Sequence, residues 1–132
     1  MKFSISTKGW QQLGWQRLTD IARDVRLSGI ELHDVFDPSL ADIVLDTQNV
    51  GPARRRLQEY GLQVACVDLP TDPLDENVSE TAFLERLDRC IDAAINMRTS
   101  HIRIHTLASA EQDGSVPARM MSTLSAALAR AE

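Results

Sequence analysis

The chain has 132 residues, the length of one modest domain, with 14 basic and 19 acidic side chains and a net charge of −5. Binding to a nucleic-acid backbone needs an excess of Lys and Arg on one face, so we expect no nucleic-acid partner. No apolar run approaches the roughly 20 residues that cross a bilayer, and we expect no membrane partner. Cys66 and Cys90 lack zinc-like spacing and lie in apolar patterns, which together with the absence of a secretory signal predicts a reducing cytoplasm.

Apolar periodicity predicts the same strand–helix unit four times. The first unit pairs a strand over Lys2–Thr7 with a helix over Trp15–Leu27. The second pairs a strand over Gly29–His33 with a helix from about Val50 to Tyr60. Between these two elements the sequence predicts a polar loop through Pro38.

The third unit begins with a strand over Leu62–Leu69, and Ser79 is the expected cap of the helix that follows. The expected buried stripe of this helix consists of Phe83, Leu84, Leu87, Ile91, Ala94 and Ile95. The fourth unit has a strand over His101–Leu107 and a last helix that begins at Pro117.

Strands that alternate with helices predict a parallel sheet, either open and doubly wound or closed into a barrel. The strands of a doubly wound sheet should be apolar nearly throughout, because helices cover both faces. Here the two sets of alternate positions along the strands, which we call the two parities, differ in polarity. The apolar parity contains Phe3, Ile5, Ile30, Leu32, Ile102 and Ile104, and the small or polar parity contains Ser4, Ser6, Glu31, His33, Arg103 and His105. This favours a barrel whose interior holds the polar side chains, with Glu31 paired to Arg103 because a buried charge needs a partner.

A complete (β/α)₈ barrel needs about 250 residues, roughly twice this chain. We therefore predict a (β/α)₄ unit, a single domain over residues 1–132 that forms the N-terminal half of a TIM barrel. Its first and fourth strands would be open edges, and exposed parallel edges invite pairing. The expected partner is either a missing C-terminal half or a second copy of the chain, in a homodimer or a larger assembly.

In a barrel, chemistry takes place at the C-terminal ends of the strands. His33 and His105 fall at such ends with the inward parity, whereas His101 lies at the start of its strand. His33 is a candidate acid–base or metal-binding imidazole, oriented by a neighbouring carboxylate such as Asp34 or Asp37. His105 is a candidate metal ligand or substrate-binding residue.

Two further residues, Ser6 and Asp68, are candidates for substrate binding because they also lie at strand ends. Asp68 can equally be a loop cap, and His33 a loop histidine without a role. The sequence has no GxGxxG, P-loop, GxSxG or HExxH motif, so no spacing is diagnostic of one chemistry.

Three segments resemble a known superfamily. The run Ser28–Asp34, which reads SGIELHD, resembles the "GxEL" second strand of xylose-isomerase-like barrels. Leu57–Val64 is similar to the second helix and third strand of these barrels, and Leu87–Thr106 to their third helix and fourth strand. The superfamily includes sugar-phosphate isomerases and epimerases, inosose dehydratases and the endonuclease IV group. The resemblance covers the whole chain and half of the family's barrel.

The resemblance implies an isomerase or epimerase of sugars or sugar phosphates that uses a divalent metal such as Mn²⁺, Mg²⁺, Co²⁺ or Zn²⁺. The step His33-Asp34 is similar to one that assists ring opening in xylose isomerases, which implies catalytic roles for both residues. His105 falls where endonuclease IV enzymes place a metal-binding histidine. Most epimerases draw their metal ligands from strands five to eight, which this sequence does not reach. Two alternatives stay open: a non-catalytic, self-associating half-barrel and a small flavodoxin-like binding or regulatory domain.

Overall fold

A computed structural model describes residues 1–73, 75, 77–105 and 118–131. The strands are β1 (Ser4–Ser6), β2 (Gly29–His33), β3 (Gln63–Leu69) and β4 (Ile102–Ile104). The helices are α1 (Gly14–Asp24), α2 (Pro38–Val44), α3 (Thr47–Glu59), α4 (Glu80–Met97) and α5 (Ala118–Ala131), and a short 3₁₀ turn precedes α1. None of the described helices combines the length and apolar character of a membrane span.

The described strands form one parallel sheet in the order β1-β2-β3-β4. Each connection leads to the next strand on the same side. Because connections between parallel strands are right-handed, this order places all the connecting helices on one face of the sheet. A flavodoxin-like sheet instead has its first strand between the second and third, with helices on both faces. The predicted (β/α)₄ architecture is therefore confirmed, and the flavodoxin-like alternative is wrong.

The core lies between the apolar face of the sheet and the helices. Ile30 and Leu32 of β2 and Val67 of β3 are fully buried. They belong to one cluster with side chains from the helices, including Leu57 of α3 and Phe83 of α4. Because successive side chains of a strand point to opposite faces, Glu31, His33, Asp68 and Arg103 lie on the face away from the helices. The polar parity thus lines the side that would become a barrel interior.

Gly29 begins β2 where the neighbouring strand comes closest. A Cβ atom at this position would lie 2.8 Å from the carbonyl oxygen of Gln63. Such a contact is closer than van der Waals packing allows, so the start of β2 accepts only glycine without a shift of the backbone.

The polar loop predicted around Pro38 contains a helix instead, and that part of the prediction is wrong. Asp37 caps α2 through its Oδ1, which accepts a hydrogen bond from the Ser39 N–H at 2.9 Å, and Pro38 takes the first helical position. Leu40 and Val44 are the buried residues of this helix. Two apolar residues at one i, i+4 spacing make too short a pattern for periodicity to detect.

Other boundaries follow the prediction with local differences. Ser79 caps α4 as expected, since its Oγ accepts a hydrogen bond from the Ala82 N–H at 3.1 Å. Ile95 does not belong to the buried stripe of α4, because it is 67% exposed. The predicted ends at Leu107 and Pro117 lie outside the described residues.

Candidate functional site

Asp68, near the end of β3, occupies the centre of the polar face. The strand register places it opposite His33 of β2 on one side and opposite Arg103 of β4 on the other. The three side chains therefore form one row across the sheet, at the C-terminal ends of their strands.

An irregularity in the pairing of β2 with β3 creates this row. Ile30 pairs with Val64, but the next residue, Glu31, pairs with Cys66, so Ala65 is an extra residue in β3. If the pairing continued without this shift, Ala65 would oppose Glu31 and Val67 would oppose His33, and Asp68 would turn toward the helices, because a one-residue slip exchanges the faces of a strand. The bulge thus brings the carboxylate to the polar face.

Asp68 is hydrogen-bonded to three side chains. Its Oδ2 lies 2.5 Å from His33 Nδ1, and its Oδ1 lies 2.6 Å from His105 Nε2. Arg103 donates from Nε to Oδ1 at 3.3 Å and from Nη2 to Oδ2 at 3.2 Å. Arg103 Nη2 also donates to Glu31 Oε1, so the ion pair predicted between these two residues is confirmed.

The network keeps Asp68 charged although its side chain is fully buried. Burial by itself would raise the pKa of Asp68, but hydrogen bonds from Arg103 and His33 and the charges of Arg103 and His105 lower this pKa below its ordinary value. The hydrogen bond to Asp68 in turn raises the pKa of Arg103 above its usual range. The centre of the site is therefore a fixed carboxylate–guanidinium pair.

An ionised carboxylate only accepts hydrogen bonds, so each imidazole nitrogen that contacts Asp68 carries a proton. This places the proton of His33 on Nδ1 and that of His105 on Nε2. In the neutral imidazoles, the opposite nitrogens, Nε2 of His33 and Nδ1 of His105, carry lone pairs. No described residue forms a hydrogen bond to either of them. In that neutral form, each ring presents one oriented nitrogen that can accept a proton.

Thr7 fixes the backbone beside His33. It is almost fully buried, and its Oγ1 accepts a hydrogen bond from the His33 N–H at 2.9 Å. The Thr7 N–H donates to the Glu31 carbonyl oxygen at 2.9 Å, which continues the β1–β2 pairing beyond β1. Thr7, which directly follows β1, thereby fixes the end of β2.

The other predicted residues are placed differently. Asp34 has a left-handed backbone with φ of 57°, and its Oδ1 accepts a hydrogen bond from the Phe36 N–H at 3.2 Å, so it shapes the turn after β2. The carboxylate that orients His33 is Asp68, neither Asp34 nor Asp37. Ser6 lies opposite Glu31 in the register, and its Oγ accepts from the Lys8 N–H at 3.3 Å.

Arg103 was predicted as the ion-pair partner of Glu31 but not as a candidate site residue. The sequence does contain a sign of its role. Arg103 lies two residues before His105, so the two side chains are expected on the same face of the sheet. Each carboxylate oxygen of Asp68 already accepts two hydrogen bonds. The substrate contact predicted for Asp68 therefore requires one of these donors to move away.

Cys66 lies on the same face, opposite Glu31. Burial, followed by the charge of Glu31, raises the pKa of the Cys66 thiol to about 11. The thiol is therefore protonated at neutral pH, and because the thiolate is the reactive form, Cys66 is a poor nucleophile and metal ligand.

The described residues do not by themselves form the divalent-metal site that the resemblance implies. No group of three or more His, Cys, Asp or Glu side chains within the described ranges converges as a metal site requires. Both oxygens of Asp68 are occupied, and a cation beside them would face the guanidinium of Arg103. A metal bound at His105 would need most of its ligands from other residues.

A groove of about 650 Å³ opens at the opposite ends of β3 and β4, where Arg54, Arg98 and His101 border it. In barrels this N-terminal end contributes to stability, whereas function lies at the other end. The groove is therefore remote from the His33–Asp68–His105 cluster.

Comparison with known proteins supports the fold alone. A crystal structure described as the "probable 3-DHS dehydratase AsbF involved in the petrobactin synthesis from Bacillus anthracis" superposes with a TM-score of 0.73 at 13% sequence identity. The match covers 98% of this chain and 47% of that chain. This chain thus spans about half the length of the protein that it matches. No protein-family profile and no curated protein sequence matches it.

Proposed function

We propose that this chain supplies the acid–base half of the active site of a TIM-barrel enzyme that isomerises or epimerises a sugar or sugar phosphate. The observation that supports the proposal most strongly is the pair of imidazoles held by one buried carboxylate at the C-terminal ends of β2 and β4. Active sites of TIM barrels lie at this end. A polar floor of hydroxyl, carboxylate and guanidinium groups suits a polyhydroxylated substrate.

His33 is the proposed acid–base residue. Its side chain is 14% exposed, so a substrate above the sheet reaches the ring. Asp68 fixes the tautomer that leaves a lone pair on Nε2, and it stabilises the imidazolium that forms when this nitrogen accepts a proton. His105 is proposed to hydrogen-bond a substrate hydroxyl through Nδ1.

Ring opening of an aldose is the step that these residues can assist without further groups. His33 Nε2 removes the proton from the anomeric hydroxyl, a carbonyl forms at that carbon, and the bond from that carbon to the ring oxygen breaks. The ring oxygen then receives the proton from the imidazolium. The step moves one proton between two oxygens of the sugar and consumes no oxidant or reductant.

The interconversion of sugar anomers tests this role directly, because each interconversion passes through the open form. We expect the chain to accelerate anomer exchange of at least one of D-xylose, D-glucose and D-glucose 6-phosphate, measured by exchange NMR. The substitution His33→Ala should lower the accelerated rate by about 100-fold, the lower end of general acid–base contributions.

The matched control is His101→Ala, which removes an exposed imidazole that precedes β4. This variant should keep the full rate. Two results contradict the proposal: exchange no faster than with the same concentration of free imidazole, or equal rates for the His33 and His101 variants.

A further inference from the structure

Exposed apolar side chains gather at the two open edges of the sheet. The large apolar residues that are exposed in the described part of the chain are Met1, Phe3, Leu13, Val25, Ile95, Met121 and Leu128. The first four belong to β1, to α1 or to the residues next to them, and the last two belong to α5. Of this set, Ile95 alone lies on an inner helix, since α4 packs between α3 and α5. Single exposed apolar residues are common, but a concentration at both edges indicates surfaces that another unit covers.

Helix α5 packs on α4 with one face and has an uncharged exposed stripe on the opposite face. One face packs on α4, with Thr123 and Ala127 buried, and Arg130 ties the end of α5 to the Leu84 carbonyl oxygen at 3.3 Å. On the opposite face, Met121 and Leu128 are exposed at an i, i+7 spacing. Ser125, also exposed, lies between them on the same face, so this stripe has no charged residue. A solvent-facing helix surface normally carries charged residues, so the uncharged exposed stripe predicts a second neighbour for α5.

The two edges have the geometry to cover each other. β1 and β4 run parallel and each has three residues. A copy rotated by a half turn about the barrel axis places its β1 beside β4 and its β4 beside β1, which continues the strand order to eight. In a barrel the helix after a strand packs over the seam with the next strand, so α5 would cover Phe3 and α1 of the other copy.

We propose that two copies of this chain close an eight-stranded barrel about a two-fold axis, with α5 of each packed on the β1 and α1 edge of the other. Both surfaces of each seam are present on this chain, and two 132-residue copies reach the roughly 250 residues of a complete barrel. The two seams are identical by symmetry, so association stops at two. Closure also encloses the polar face, which one copy leaves open.

Sedimentation velocity across the micromolar range tests the proposal. We expect a species of twice the 14.7 kDa chain mass. Leu128→Asp should raise the dimer dissociation constant at least about 100-fold, because it places a charge in both seams and removes a buried leucine from each. Phe3→Asp should act in the same way from the other side of the seam.

The matched control is Ile95→Asp. Ile95 and Leu128 are exposed to nearly the same extent, 67% and 69%, but Ile95 lies away from both seams. The Ile95 variant should keep the wild-type dimer. All three positions are exposed in the single chain, so circular dichroism should show native helix content in every variant.

The proposal is overturned by a wild-type chain that stays monomeric or forms assemblies larger than two. It is also overturned if the Ile95 variant dissociates like the Leu128 variant.

Discussion

The substitution Asp68→Asn lowers the free energy of unfolding by about 2–3 kcal/mol, because it removes a buried charge that accepts hydrogen bonds from a guanidinium and two imidazoles. Loss of one partner of a fully buried ion pair costs about 3–5 kcal/mol. We expect less here because the partner, Arg103, is 46% exposed and keeps its contact with Glu31. Urea denaturation at one protein concentration measures the effect.

Asp88→Asn is the matched control. It also removes an aspartate that pairs with an arginine, but Asp88 and Arg130 are both exposed. Exposed pairs contribute about 0–1 kcal/mol, so this variant should unfold near the wild-type midpoint. Equal losses in the two variants would show that burial of Asp68 adds nothing to the strength of its network.

The pH dependence of unfolding reports on the same carboxylate. The pKa of Asp68 is lower in the folded chain than its ordinary value of 3.8. Its contribution is therefore fully present above that ordinary value and is lost as the pH falls through the lower folded pKa. The wild type should lose more stability than Asp68→Asn over this acid interval, and parallel curves would contradict the assignment.

A second large effect is expected from Phe83→Ala in α4. Phe83 is buried among the helices and the apolar face of the sheet, so its truncation should cost about 3–5 kcal/mol through lost burial and a residual cavity. In a small domain this is a large part of the total stability. Thermal and urea unfolding both report it.

The control for Phe83→Ala lies in the same helix. Ile95→Ala truncates a side chain that is exposed, and its effect should stay within about 0.5 kcal/mol of the wild type. If the two variants lose similar stability, the core does not lie between α4 and the sheet as described.

Alternation of residue types was sufficient to predict the polar face of the sheet. Glu31 and Arg103 share the inward parity of their strands, and their ion pair followed from the cost of an unpaired charge. Histidines at the ends of two strands were likewise found from parity and position. These predictions succeeded because they depend on the period of a strand, which local sequence determines.

The central position of Asp68 depends on pairing between strands, which parity within one strand does not reveal. The extra residue in β3 shifts the register after Val64, and only then does Asp68 oppose His33. Asp34 is the carboxylate next to His33 in the sequence. Its backbone is left-handed, however, and its side chain accepts a hydrogen bond within the turn after β2 instead of contacting His33. Ile95 was assigned to the core for a related reason, since apolar spacing along a helix does not show whether a position faces the sheet or the solvent.

Imidazole nitrogen NMR tests most directly whether one buried carboxylate orients both histidines. Long-range proton–nitrogen correlation spectra distinguish the two tautomers of each ring. In the wild type, His33 should carry its proton on Nδ1 and His105 on Nε2, while exposed His101 serves as the reference ring. A His33 ring protonated on Nε2, with Nδ1 unprotonated, would contradict the hydrogen bond to Asp68 and with it the proposed site.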